Sequence, residues 1–131
     1  IIYFINGWKE ESKITRCDCP IRDEKAGKAV FDELCGACHA LSVNIFLTQG
    51  DSKSAAAPAL GGLFGTVCGE RTNFPYSKAM KSSGITWTDK YLFAYLVAPS
   101  KVIPGNKMSF AGLPGEKDRA NLIAYLKTTS S

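Results

Sequence analysis

Histidine occurs once in this chain, and methionine only twice. No centre within a single copy can therefore take two imidazoles. Long apolar runs are missing at the start as well. The opening Ile1-Ile2-Tyr3-Phe4-Ile5 is apolar for five residues, far short of a bilayer crossing or a signal-peptide core. No membrane segment is expected, and with no initiator Met ahead of Ile1 any upstream targeting segment would be unseen. A charge excess of one sign is nearly absent too: the net charge is +4, and the lysines are scattered. Nothing calls for a nucleic-acid partner, and an acidic protein surface is the more modest expectation. What is present is ordinary for a folded protein. The 131 residues suit one core, with 45% apolar and 21% charged side chains. A single soluble domain is expected.

Five cysteines make an odd number, and two of them fall in Cys35-Gly36-Ala37-Cys38-His39. Cys-x-x-Cys-His is the attachment signature of c-type haem. Two thiols add to the haem vinyl groups as thioethers, and the adjacent imidazole reaches the iron. The spacing has a mechanical reason, because on a helix Cys35 and Cys38 lie about one turn apart on one face. The rival reading is zinc. Cys17-Asp18-Cys19 lies upstream, so Cys17, Cys19, Cys35 and Cys38 approach the pattern of a four-cysteine structural site. A redox dithiol is weaker, since no βαβ pattern surrounds the motif.

Three helices are predicted. Asp23 caps the first, with Ala26, Val30, Phe31 and Leu34 on one stripe leading into the cysteines. Thr88 caps a second, carrying Tyr91, Leu92, Tyr95 and Leu96 until Pro99 stops it. The last runs from about Glu116 to Lys127. No segment keeps a strand's alternation for long, and Gly, Pro, Asn and Ser crowd the connections. The class is all-α, small and loop-rich. Between Ala57 and Trp87 the loops hold Pro58, Leu60, Leu63, Phe64, Phe74, Tyr76 and Trp87, which need something to pack against. A flat apolar macrocycle would serve, with the Tyr76 phenol and the Trp87 indole available to its propionates.

In combination these features resemble class I cytochrome c, closest to the mitochondrial type. Gly27-Lys28, Phe31 and Cys35 to His39 are similar to the family's first helix and haem motif. Pro58 to Gly65 resembles its proximal loop, and Tyr76 with Gly84-Ile85-Thr86-Trp87 its propionate-binding stretch. Pro104-Gly105-Asn106-Lys107-Met108-Ser109-Phe110-Ala111-Gly112 resembles the methionine loop, and Arg119 to Lys127 the closing helix. The resemblance implies a cytochrome c fold of three to five helices around one haem c attached through Cys35 and Cys38. It makes His39 and Met108 the iron ligands, with Pro58, Tyr76, Trp87, Tyr95, Asn106, Lys107 and Phe110 around the cofactor. Tyr95 would sit near the Met108 sulfur, and the Pro58 carbonyl would orient His39. Gly27, Phe31, Leu122 and Tyr125 would join the first and last helices. A thioether favours ferrous iron and raises the potential; Met80, in a polar run, is the other methionine.

The implied function is a mobile single-electron carrier between a bc1-type reductase and cytochrome c oxidase, not an enzyme. Peroxidase activity would follow only if Met108 dissociated. A monomer in the mitochondrial intermembrane space is expected, with the bacterial periplasm as the alternative location. The partners would be met at the haem edge by Lys101, Lys107 and Lys53. That ring is thin, since Leu34, Ala55, Ser100, Pro114 and Gly115 stand where the family commonly has lysine. Thr66 likewise replaces an arginine expected near a propionate. His39 and Pro58 are also separated by eighteen residues, longer than the family pattern by the length of Val43–Gln49. That segment reads either as a surface insertion or as a translated short intron. Residues 1–22 are read as a flexible extension, residues 23–131 as the cytochrome c domain with 43–49 inserted in it, and Cys68 as small core filler.

Overall fold

A computed structural model describes residues 22–41, 57–71 and 74–129. Val43–Gln49, the extension through residue 21, Cys17, Cys19, Lys53 and Ala55 lie outside the described residues. Five helices occur among those described: α1 (Glu24–Leu34), α2 (Lys78–Ser82), α3 (Asp89–Val97), α4 (Pro99–Val102) and α5 (Glu116–Thr128). Among the described residues, β pairing is limited to an isolated antiparallel bridge between Val67 and Thr86. No described helix is long and apolar enough to cross a membrane.

Two of the three long helices begin where side-chain caps direct, and the third begins at Gly115 without one. The Asp23 side chain accepts from the Lys25 and Ala26 N–H groups, and Glu24 sits in the first turn, where the helix dipole favours an anion. Thr88 accepts from the Tyr91 N–H at 3.2 Å. Pro99 does more than stop α3: it occupies the first turn of α4, where its missing N–H costs nothing. α4 and α2 are four and five residues long, too short for a helical period to show in the sequence. Ser77, accepting from the Met80 N–H, is the local signal that starts α2.

α1 crosses α5 through glycine. A Cβ on Gly27 would lie 1.9 Å from the Asn121 carbonyl oxygen and 2.9 Å from the Tyr125 Cβ, so only a hydrogen lets the backbones meet this closely. Phe31, one turn on, packs its ring 5.6 Å from that of Tyr125. The Asp23 N–H donates to Asn121 Oδ1 at 3.0 Å, joining the start of α1 to buried Asn121 on α5. An ion pair from Lys127 to Asp89 ties α5 to α3. Arg119, also buried, lies 4.3 Å above the Phe93 ring and donates from Nη1 to the Leu113 and Pro114 carbonyls. These contacts form a rigid corner of α1, α3 and α5. The loops from Ala57 to Ser77 and from Ile103 to Gly115 hang on it.

Candidate functional site

The first site elements grow out of the end of α1. Cys35 is its C-cap residue, with its N–H on the Phe31 carbonyl. The Cys38 and His39 N–H groups then both return to the Cys35 carbonyl, at 3.1 and 2.9 Å. The chain is thereby wound into one further turn that keeps both thiols and the imidazole together. Cys35 is buried and Cys38 exposed. Burial, reinforced by Cys38, pushes the free Cys35 thiol up to about 11. His39 Nδ1 lies 2.7 Å from the Pro58 carbonyl oxygen. A carbonyl only accepts, so Nδ1 carries the proton and Nε2 keeps its lone pair. Burial lowers His39 from its usual value, the bond to Pro58 opposing only in part. The ring is therefore a neutral, oriented donor. A bond from the Leu60 N–H to the Ala40 carbonyl, at 2.9 Å, fastens the Pro58 strap beside it.

These groups open onto a cavity of about 250 Å³ with a mostly apolar wall. Cys35, Cys38, His39, Pro58, Tyr76, Trp87, Tyr95, Asn106, Lys107, Met108 and Phe110 all line it. Every site residue expected from the sequence thus converges on one space. On the Met108 side, Asn106 shapes the loop. Its Nδ2 donates to the Pro99 and Ile103 carbonyls at 3.0 and 2.8 Å, and its Oδ1 accepts from the Met108 N–H at 2.8 Å. The Tyr95 hydroxyl donates to Met108 Sδ at 3.5 Å. Tyr95 stacks edge-on against Trp87 at 5.0 Å, and burial raises its phenol well above the usual value. Lys107 Nζ donates to the Pro75 carbonyl at 2.8 Å.

The sequence singled out neither Arg71 nor Phe74 as a site residue, yet both line the cavity, as do Leu34 and Met80. Met80, set aside for its polar surroundings, is turned inward, and the Cys68 thiol donates to its sulfur at 3.6 Å. Cys68 is fully buried, as core filler should be. Phe64 is the exception among the apolar loop residues. It lies under Lys127, 5.8 Å from the ammonium to the ring centroid, and does not line the cavity.

The donor set fits a covalent haem: two thiols on one turn, a neutral imidazole, a thioether, and apolar walls between them. An apolar hollow of this size, left to water, would expose the side chains that line it, so it calls for an apolar filler. Fold and cavity together define a small helical domain of the covalent-haem, electron-transfer class. The family model described as Cytochrome c matches residues 24–130. A cytochrome c of Tetrahymena pyriformis is 54% identical over 109 residues, covering 83% of this chain and 91% of that protein. Cytochrome c-type cyt cy of Rhodobacter capsulatus is 44% identical over 106 residues, 81% of this chain and 49% of that one. Among solved structures, cytochrome cH from Methylobacterium extorquens superposes with a TM-score of 0.69 at 37% identity, covering 81% of this chain and 98% of its own.

The chain belongs to the cytochrome c family. It is a haem electron carrier, with haem c held covalently through cysteines, and not an enzyme. The zinc alternative finds no support in these matches.

Proposed function

We propose that this protein is a mobile respiratory electron carrier. In this reading Cys35 and Cys38 would anchor the haem, His39 and Met108 would ligate its iron, and electrons would pass from a bc1-type reductase to cytochrome c oxidase. The observation that carries the assignment is the convergence of Cys35, Cys38, His39 and Met108 on one apolar cavity.

The bound haem supplies the one-electron couple of its iron; the chain's own residues set the conditions for it. His39 is kept neutral by burial, and its tautomer is fixed by Pro58. Asn106 holds the Met108 backbone, and the Tyr95 hydroxyl engages its sulfur. A hydrogen bond to a thioether withdraws electron density, so Tyr95 tunes how strongly Met108 donates. Trp87, Leu63 and Leu96 keep water from the interior. With His39 and Met108 both bound to the iron, no open position would be left for a substrate, and transfer would be outer-sphere.

Lys101 and Lys107 are exposed and stand as the partner-facing cations. Leu34 is 43% exposed and also lines the cavity. The rim is thus more apolar than a full lysine ring would make it, and association with acidic partners should depend less steeply on salt. The relatives in Tetrahymena and Theileria favour the mitochondrial intermembrane space; those in Rhodobacter and Methylobacterium keep the bacterial periplasm as its rival.

The visible spectrum tests the assignment. A reduced c-type spectrum, with the weak red-end band of iron–methionine bonding when oxidised, is expected. A colourless protein overturns the haem reading, and a haem spectrum lacking that band removes Met108 as ligand.

A further inference from the structure

One cation in the cavity wall plays no part in the assignments above. Arg71 is half-buried and lines the cavity with Phe74 and Tyr76. Its Nη1 donates to the Ala59 carbonyl and its Nη2 to the Gly61 carbonyl. The guanidinium is thus held against the strap that begins at Pro58. The strap passes close by at Gly62, where a Cβ would stand at ordinary contact distance, 3.4 Å, from Nη2. Its field reaches Tyr76, where burial raises the phenol and the Arg71 charge pulls it back.

Carbonyl oxygens accept hydrogen bonds but bring no full charge. A half-buried cation facing only carbonyls is incompletely compensated. Neither the Lys28–Asp32 pair nor the Lys127–Asp89 pair involves Arg71, and among the described residues its guanidinium meets carbonyls rather than a carboxylate. A planar guanidinium has more donors than these two carbonyls use, and its fork matches a carboxylate. Haem carries such carboxylates as its propionates. Lys107 is the other full cation in the wall, but it is exposed and its ammonium rests on the Pro75 carbonyl. Thr66, where the resemblance led us to look for an arginine, spends its hydroxyl on the Leu63 carbonyl at 2.6 Å and does not line the cavity.

We propose that Arg71 meets a haem propionate and, through the Ala59 and Gly61 carbonyls, couples that carboxylate to the strap whose Pro58 orients His39. This rests on the haem reading above. Arg71 is therefore a positioning and charge-compensating residue, entering from a different point of the loop than Thr66.

The holoprotein tests it, once its spectrum has established bound haem; a colourless wild-type protein would sink the haem reading itself before any variant was made. The midpoint potential is then followed from about pH 5 to 8 in wild type, Arg71→Gln and Arg71→Lys. A propionate paired with Arg71 stays ionised, so the wild-type potential is flat. Without the cation its pKa rises by roughly 1 to 3. The Arg71→Gln potential should then fall with rising pH and end below wild type, because an unpaired ionised propionate favours ferric iron. Arg71→Lys, which keeps the charge, should restore most of the flat profile. An Arg71→Gln protein that holds haem with the wild-type potential and pH profile, even at lower stability, would show that Arg71 only fastens the strap. If Arg71→Gln takes up no haem, infrared titration of wild type with ¹³C-labelled propionates decides. A propionate ionised below the ordinary carboxylate range supports the pairing; two propionates titrating within or above that range overturn it.

Discussion

The corner of α1, α3 and α5 and the loops packed around it, 57–77, 83–88 and 103–115, are stabilised in different ways. In the corner, protein packs on protein: Gly27 admits the Asn121 backbone, Phe31 meets Tyr125, and Asp23 bonds to Asn121. Along the loops, apolar side chains such as Leu60, Leu63, Phe74 and Trp87 face a cavity of about 250 Å³. The corner is closed by its own sequence. The loops present complementary surface to a cofactor, so their stability is borrowed from it.

That contrast is broken most severely by removing the attachment. In Cys35→Ala/Cys38→Ala, or in the haem-free chain, the loops lose their filler, and the stability lent by the bound group is lost with it. Hydrogen exchange should show protection lost across 57–77, 83–88 and 103–115, with any residual protection confined to α1, α3 and α5. Equal protection in both regions would show that the loops are self-sufficient. Next in size is Met108→Leu, set against Met80→Leu. Both sulfurs line the cavity, but only Met108 is held by Asn106 and Tyr95. Met108→Leu should abolish the red-end band and lower the potential, while Met80→Leu leaves the band in place. The reverse pattern would exchange their roles.

A change in the corner sharpens the comparison from the other side. Gly27→Ala puts a methyl into the Asn121 carbonyl, and overpacking of this kind costs roughly 1 to 3 kcal/mol. Chemical denaturation should report that loss while the visible spectrum of the folded protein stays as it was. A shifted spectrum would mean that the corner and the cavity are not separable.

The same division governs what the sequence reveals. The long helices were legible because their caps and apolar spacing are local: Asp23, Thr88 and the stripe through Phe31 declare themselves within a few residues. α2 and α4 were not, being shorter than the period that would expose them. The site was legible wherever a motif fixes chemistry at short range, as in Cys35 to His39, or through resemblance, as with Asn106 and Met108. Arg71 escaped because its role depends on carbonyls at Ala59 and Gly61, ten and more residues away, in a loop without periodicity. The inward turn of Met80 escaped for a related reason. Its neighbours Lys78, Lys81 and Ser82 are polar and exposed, and only the short α2 turns its side chain toward Cys68 and the cavity.

The smallest expected effect lies at Tyr95, where corner and cavity meet, since α3 carries its ring against Trp87 and its hydroxyl to Met108. Burial raises its phenol above the ordinary 10.0. In the unfolded chain the same phenol ionises near 10.0, so above that pH the unfolded state has lost a proton that the folded state retains. Folding stability therefore falls as pH rises through and beyond 10.0, and at neutral pH this group contributes no pH dependence. Tyr95→Phe removes the titration and one hydrogen bond. It should cost about 0.5 to 1.5 kcal/mol at neutral pH and flatten the alkaline limb of the stability curve. Denaturant unfolding followed from pH 7 to about pH 11 measures both. An alkaline limb as steep in Tyr95→Phe as in wild type would place the controlling proton elsewhere. Tyr76, also raised by burial, would then be the group to change next.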